Sequence, residues 1–116
     1  MKEEPPDLAN PSGDELIRML AALSNPHRLR ILAALGAGRV HVSQLARDVG
    51  LSRPLVHVHL QRLEAAGLVT GTLELSEEGK AKKFFEVNPF ALTLTPETLA
   101  NATRTLSTTD EKEESP

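Results

Sequence analysis

The spacing of apolar residues divides the chain into a long helical part, a short β part and a final helix. Between residues 14 and 66, apolar side chains recur every three or four positions, which is typical of helices with one buried face. Capping residues and glycines divide this stretch into four helices, at about 14–23, 26–35, 44–49 and 53–66. The four predicted N-cap residues are Ser12, Asn25, Ser43 and Ser52.

Beyond Gly67 the apolar period shortens to two, which indicates a β-hairpin. Residues 68–75 predict its first strand, residues 76–80 a polar turn and residues 84–87 the return strand. A threonine followed by proline then has the pattern of a helix start, and the last helix is predicted over 96–106. The predicted fold class is therefore mainly α with a small β-hairpin.

The 116 residues suffice for one domain and leave no room for a second. We predict a disordered acidic arm over 1–12, a folded domain over 13–106 and a disordered acidic tail over 107–116, because both ends are polar and rich in acidic residues. No apolar stretch is long enough to cross a membrane and no signal region precedes the domain, so we expect a cytoplasmic protein.

The composition excludes several kinds of site. The chain has no Cys, which excludes disulfides, thiolate metal sites and a Cys nucleophile. Its only aromatic residues are three Phe, so an aromatic-lined groove for sugars or single-stranded nucleic acid is not expected. It contains no glycine-rich phosphate loop and no nucleophile motif, and we therefore do not expect an enzyme.

The net charge of −3 conceals a basic centre between acidic ends. Residues 25–83 contain nine Lys/Arg against five Asp/Glu, a net charge of +4, and all four His residues. The ends carry −4 over residues 1–15 and −3 over residues 107–116. Such an asymmetry points to nucleic acid more clearly than the total charge does.

Two short helices joined by a tight turn and followed by a hairpin indicate a winged helix-turn-helix. In this arrangement the third helix braces the fourth, which can enter the major groove of DNA, while basic residues at the wing tip suit phosphates. The candidate DNA-contacting residues are Gln44, Arg47, Ser52, Arg53, Pro54, His57, Val58, Gln61, Lys80, Lys82 and Lys83.

Several stretches in order resemble the ArsR family of winged-helix repressors: residues 21–32, 44–46, 51–52, 56–68 and 79–85. The resemblance implies a homodimer whose first and last helices form the interface. Surplus apolar residues on both predicted helices agree with that arrangement. The residues expected to pack across the two-fold axis are Leu16, Met19, Leu20, Leu23, Leu99 and Leu106.

The chain departs from the metal-sensing members of that family. Residues 40–43 hold no Cys, and the last helix offers only one carboxylate and no His. His57 and His59 fall on opposite faces of one helix, and His27 and His41 are each isolated, whereas zinc needs three or four converging ligands. We therefore predict no family-type metal site and no cofactor, and an effector, if one exists, would be a small organic ligand or a partner protein.

Two functions remain open at this point. The first is a sequence-specific transcriptional regulator, a homodimeric repressor on double-stranded DNA with an inverted repeat. The alternative is a winged-helix module that binds other proteins, because the same fold supports both functions. The exposed basic helix and wing favour DNA over the protein-binding alternative.

Individual residues also have structural alternatives. Arg53 contacts DNA or is an ordinary surface residue of its helix. His57 reaches a base or phosphate, or is simply solvated. His59 is expected to pack half-buried in a structural role. Arg28 braces the fold or reaches a phosphate, and the structural role is favoured.

Overall fold

The computed structural model describes residues 11–107, so most of the predicted arm and tail lies outside the described residues. None of the helices between residues 11 and 107 has the length and apolar character needed to cross a bilayer. The elements are α1 (Gly13–Leu23), α2 (Pro26–Leu35), β1 (Val40–His41), α3 (Val42–Val49), α4 (Arg53–Ala65), β2 (Val69–Leu75), β3 (Ala81–Val87) and α5 (Pro96–Thr103). The predicted five helices and hairpin are confirmed, and β1 is an addition.

Local side-chain caps start four of the helices where the sequence places them. Ser12 Oγ accepts from the Glu15 backbone N–H at 3.1 Å, and Glu15 Oε1 accepts from the Ser12 N–H at 2.9 Å. This reciprocal pair is the predicted capping box of α1. Asn25 of α2, Ser52 of α4 and Thr95 of α5 each accept a first-turn backbone N–H with a side-chain oxygen. These bonds satisfy backbone donors that have no partner inside the helix.

The prediction for the start of α3 is wrong by two residues. His41, not Ser43, is the N-cap, and its Nδ1 accepts from the Gln44 N–H at 3.4 Å. The reason is β1, which runs directly into α3 and leaves no separate turn between them. Val42 therefore already belongs to the helix and is buried.

The three strands form an antiparallel sheet in the order β1-β3-β2. β1 pairs Val40 with Phe85, and the hairpin pairs Val69 with Val87 at its base. β3 begins at Ala81, three residues before its predicted start, because its first residues are exposed and lack the apolar alternation of a half-buried strand. At the base of the hairpin, Asn88 Nδ2 donates to the Gly67 carbonyl at 2.8 Å.

Only the base of the hairpin contributes to the core. Val69, Leu73 and Leu75 share one face of β2, as their alternation predicts, but only Val69 is buried. Leu73 is 65% and Leu75 74% exposed, because the hairpin extends beyond the helices. The wing is therefore a projecting arm whose outer half is surrounded by solvent in the single chain.

The core is built from one face of each of α1 to α4, together with the sheet base. Two of the residues predicted at the dimer interface belong to it: Leu16 is 6% exposed and Met19 is fully buried. Both side chains are buried because α1 packs with this face against α2, α4 and α5 of its own chain, and their place across a two-fold axis stays a prediction. The fully buried larger side chains are Met19, Ile31, Leu35, Leu45, Val56, Leu60, Leu63, Leu68 and Val69.

The start of α1 and the end of α5 meet at a glycine. A Cβ added to Gly13 would lie 2.3 Å from the Ala102 carbonyl oxygen and 2.7 Å from Leu106 Cγ. The Gly13 N–H also donates to Thr105 Oγ1 at 2.7 Å. This close approach brings α5 against α1 and leaves Leu99 42% and Leu106 38% exposed.

Candidate nucleic-acid interface

A groove of about 440 Å³ lies between the first turns of α3 and α4 and the tip of the wing. Five of its lining residues are permanently cationic, two are histidines, and none of the lining residues is Asp or Glu. The groove is therefore suited to a polyanion, since the cations reinforce one another with no carboxylate between them. Its lining residues are His41, Val42, Ser43, Arg47, Arg53, His57, Lys80, Ala81, Lys82 and Lys83.

The start of α4 points toward this groove. Ser52 Oγ accepts from the Leu55 N–H at 3.3 Å, which makes Arg53 the first helical residue. Pro54 follows in the first turn, where a backbone N–H would have no partner inside the helix, so its absence costs no hydrogen bond. Helix N-termini attract anions through their free N–H groups and dipole. Arg53 and, one turn later, His57 add side-chain donors at the same end.

The exposed stripe of α4 continues past the groove. Pro54, Val58 and Gln61 are exposed on the side opposite the buried residues of this helix, as predicted. They do not line the groove, and neither does Ser52. The stripe therefore extends the exposed surface of α4 beyond the cationic lining of the groove.

The side-chain amide of Gln44 forms hydrogen bonds with two other residues of α3. Its Oε1 accepts from Arg47 Nη2 at 2.7 Å, and its Nε2 donates to Asp48 Oδ1 at 2.8 Å. Gln44 was predicted to contact DNA, yet both ends of its amide hold neighbouring side chains and it does not line the groove. The contact with Arg47 orients a guanidinium that does line it.

The sequence predictions missed four groove residues, two of them apolar (Val42 and Ala81) and two polar. His41 and Ser43 line the groove at the start of α3 but were considered only as a metal ligand and a cap. The signal that could have found them is their position immediately before or at a helix N-terminus, next to a predicted basic wing. That signal needs the helix boundary to be known within one residue.

The wing lysines occupy both faces of β3. Lys82 and Lys83 are successive strand residues, so their side chains leave on opposite sides of the sheet. Lys83 Nζ lies 5.4 Å from the centre of the Phe85 ring. Gly71 makes this contact possible, because a Cβ there would lie 2.7 Å from Phe85 Cε2 and 2.8 Å from Lys83 Cε.

A second cluster of nitrogen-rich side chains, His27 and Arg28 of α2 and His59 of α4, lies where these two helices meet. His59 is only 7% exposed, and Arg28 Nη1 donates to its Nδ1 at 3.4 Å. Arg28 Nε also donates to the Ala22 carbonyl at 2.8 Å, so the arginine joins the end of α1 to α4. The structural roles predicted for His59 and Arg28 agree with these contacts, although His59 is more buried than expected. The prediction that His27 is isolated is wrong, because its ring centre lies 5.6 Å from that of His59.

The environment of His59 makes the stability of the fold depend on pH. Burial lowers the pKa of His59 below 6.5, and the positive charges of Arg28, His27 and Arg62 lower it further. The unfolded chain then binds more protons than the folded chain at acidic pH, so the free energy of unfolding falls as the pH drops below about 6.5.

Urea unfolding between pH 7.5 and 5.5 measures this effect. His59→Gln should flatten the pH dependence of the unfolding free energy over that interval. His57→Gln is the control, since it removes an exposed histidine from the same helix. Equal slopes for the wild type and His59→Gln would contradict the prediction.

Metal-ligating side chains do not gather in the part of the chain that the structure describes. Between residues 11 and 107, no three His, Asp or Glu side chains lie close enough together to hold a metal ion.

The sequence and the fold both match known regulators. A profile described as a helix-turn-helix domain matches residues 23–72. Over 76 residues the chain is 40% identical to an uncharacterised HTH-type transcriptional regulator of Methanocaldococcus jannaschii, covering 66% of this chain and 79% of that protein. The solution structure of a homodimeric winged helix-turn-helix DNA-binding domain from Mycobacterium bovis, described as a possible ArsR-family transcriptional regulator, matches with a TM-score of 0.56 and 28% identity over 64% of each chain. The chain belongs to the ArsR family.

This ArsR-family chain also resembles the HTH-type transcriptional regulator CmtR of Mycobacterium tuberculosis. The two are 46% identical over 59 residues, which is 51% of this chain and 50% of CmtR, so the chain spans about half the length of that relative. The helix-turn-helix match at residues 23–72 contains α2, α3 and α4 but ends before β3. The three wing lysines of the ArsR-family chain therefore lie outside the matched domain.

Proposed function

We propose that this ArsR-family protein is a homodimeric repressor that binds double-stranded DNA at an inverted repeat in the cytoplasm. The observation that carries the proposal is the groove, in which five permanent cations from α3, α4 and the wing converge without a carboxylate. A protein-binding role for this surface is less well supported, because a surface without apolar anchors or mixed charge offers a partner protein few of the contacts that dominate protein interfaces.

In the proposed complex α4 lies in the major groove. Arg53 reads a base edge, for which guanine O6 and N7 are the best acceptors, and His57 reaches a base or a phosphate beside it. Val58 and Gln61 follow along the exposed stripe, where a methyl group can meet thymine and an amide can pair with adenine. Pro54 and Ser52 fix the start of the helix.

Phosphates are held by the surrounding residues. Arg47, oriented by Gln44, and the Ser43 hydroxyl lie on one side of the groove, and Lys80, Lys82 and Lys83 lie on the other. These contacts give affinity and register without reading sequence. Each one releases a counterion from the DNA, so binding should weaken steeply with added salt.

In the proposed complex a second copy of the chain forms a dimer with the first. The homodimeric structural relative supports dimerisation, and the exposed apolar residues near the α1–α5 contact are suited to it. We assign the interface to Ile17, Leu99 and Leu106, with the half-buried Leu20 and Leu23 beside them. A two-fold axis there would place two α4 helices on successive major grooves, ~34 Å apart, which is why an inverted repeat is the proposed site.

Release from DNA requires a state with lower affinity. An effector acts only if it binds the DNA-free dimer more tightly than the complex. A small organic ligand at the dimer interface remains the hypothesis for such an effector.

The test begins by selecting genomic fragments that the full chain retains and sequencing them. An inverted repeat should be enriched, and binding to it should fall as salt rises. Retained fragments without a common repeat would contradict sequence-specific recognition. The absence of any salt-dependent retention would favour the protein-binding alternative.

Arg53→Ala is expected to weaken binding to the selected repeat by about 1–3 kcal/mol, because a bidentate base contact is lost. Binding to random duplex should change much less. Fluorescence anisotropy with both duplexes measures the difference. Arg30→Ala is the matched control, since it removes an exposed arginine that does not line the groove. An equal loss on both duplexes would make Arg53 a phosphate contact.

Leu99→Lys is expected to shift the protein from dimer to monomer at micromolar concentration, because it places a charge on the proposed apolar interface. Light scattering across a dilution series measures this shift. Leu29→Lys is the control, since Leu29 is an exposed leucine on α2 outside the proposed interface. A dimer that survives Leu99→Lys, or dissociates equally with Leu29→Lys, would place the interface elsewhere.

A further inference from the structure

One carboxylate of the wing lies directly beside a groove lysine. Glu74 on β2 is paired in register with Lys82 on β3, so the two side chains leave the same face of the sheet as direct neighbours. Opposite charges at such a position attract, because their Cβ atoms are only about 5 Å apart. Glu74 nevertheless forms its ion pair with Arg39, which lies at the opposite edge of the sheet, beside β1.

Arg39 reaches Glu74 across an aromatic ring. It immediately precedes β1, the strand on the opposite side of β3 from β2. Its guanidinium carbon lies 4.2 Å from the centre of the Phe84 ring, which sits on β3 between the two edges. Stacking on a ring and pairing with a carboxylate are both interactions that a planar guanidinium makes well.

The same ring connects the wing to α3. His41, the N-cap of α3, meets Phe84 edge-on, with ring centres 5.7 Å apart and an angle of 85° between the planes. Arg39 itself does not line the groove, whereas His41 and Lys82 do. Arg39 therefore lies outside the groove, and it contacts Phe84, the ring that His41 also meets, and Glu74, the register partner of Lys82.

We propose that Arg39 is a positioning residue for DNA binding: by engaging Glu74 it leaves Lys82 free to contact a phosphate. This inference rests on the proposed function. Without Arg39, the nearest cation in register with Glu74 is Lys82, and an ion pair between them would cancel one positive charge of the groove. Removing Arg39 should therefore cost one phosphate contact and leave the fold intact, because Arg39 and Glu74 are both exposed.

The experiment measures the slope of log K against log salt for a DNA duplex with six versions of the full chain, including Lys82→Ala alone as a reference. Arg39→Ala should flatten the slope by about 0.9, the value of one phosphate contact. Adding Glu74→Gln to Arg39→Ala should restore the wild-type slope, because the competing carboxylate is gone. Arg39→Ala in a Lys82→Ala background should cause no further flattening.

The matched control is the double variant Arg39→Ala/Glu86→Gln. It has the same net charge as Arg39→Ala/Glu74→Gln, and Glu86 lies on the same sheet face but opposite Thr70. Equal restoration by both double variants would overturn the proposal in favour of a general charge effect. A slope that stays low in Arg39→Ala/Glu74→Gln would overturn it in favour of a direct phosphate contact by Arg39.

The proposed function and the role of Arg39 can be overturned separately. A wild-type protein without salt-dependent DNA binding would overturn the proposed function, and the role of Arg39 with it. A wild-type protein with a steep slope that Arg39→Ala leaves unchanged would overturn only the role of Arg39. Thermal unfolding of each variant should match that of the wild type, so that differences in slope report on the bound state.

Discussion

Replacing Lys80, Lys82 and Lys83 together with alanine is expected to lower the affinity for any DNA duplex about a hundredfold near physiological salt. All three residues are exposed and line the groove opposite Arg47 and Arg53. If each neutralises one phosphate, the slope of log K against log salt should flatten by nearly three units. The loss should be the same for the selected repeat and for random sequence, because phosphates carry no sequence information.

The control for this variant is a triple alanine replacement of arginines elsewhere on the surface. Arg18, Arg30 and Arg104 are exposed and lie outside the groove, and their removal changes the net charge by the same amount. The control should keep most of the wild-type salt slope. A similar flattening in both triple variants would mean that the total charge, and not the wing, determines DNA affinity.

Met19→Ala is expected to lower the free energy of unfolding by about 2–5 kcal/mol, a large part of what a domain of this size has. Met19 is fully buried among core residues of its own chain, so the truncation leaves a cavity there. Urea unfolding monitored by circular dichroism measures the change. It should appear at every protein concentration, because the lost contacts lie within one protomer.

Leu99→Ala provides the contrast on the other side of the α1–α5 pair. Leu99 is 42% exposed in the single chain, so its truncation should change the concentration dependence of unfolding more than the stability of the protomer. If Met19→Ala instead altered only dimer dissociation, the inner face of α1 would lie at the two-fold axis after all.

The helix starts could be predicted because their causes are local. Ser52, Arg53 and Pro54 are adjacent, and a capping hydroxyl followed by proline favours a helix wherever the rest of the chain goes. The strand β1 could not be predicted in this way. Its two residues carry no pattern of their own, and it exists because Val40 pairs with Phe85, which is distant in sequence.

The candidate site shows the same division. Arg53, His57 and the wing lysines come together as expected, because each projects from an element whose position in the fold follows from the winged helix-turn-helix topology. The hydrogen bonds of Gln44 and the burial of Met19 could not be predicted, because a helical period gives the direction of a side chain but not the residues that it contacts. The proximity of His27 and His59 likewise depends on how α2 packs against α4.

One edge of the wing, the outer side of the strand β2, is unpaired along its length in the described part of the chain, which affects the tendency of the protein to aggregate in concentrated solution. Within residues 11–107, β2 pairs only with β3, and the exposed Leu73 and Leu75 lie on this edge strand. An apolar edge of this kind is a template for pairing with the same strand of another molecule, which leads to aggregation. Glu74 lies between the two leucines and opposes such pairing, since stacking edges would bring equal charges together. Glu74, whose carboxylate can pair with Lys82, is therefore also expected to oppose edge-to-edge pairing between the wings of two molecules.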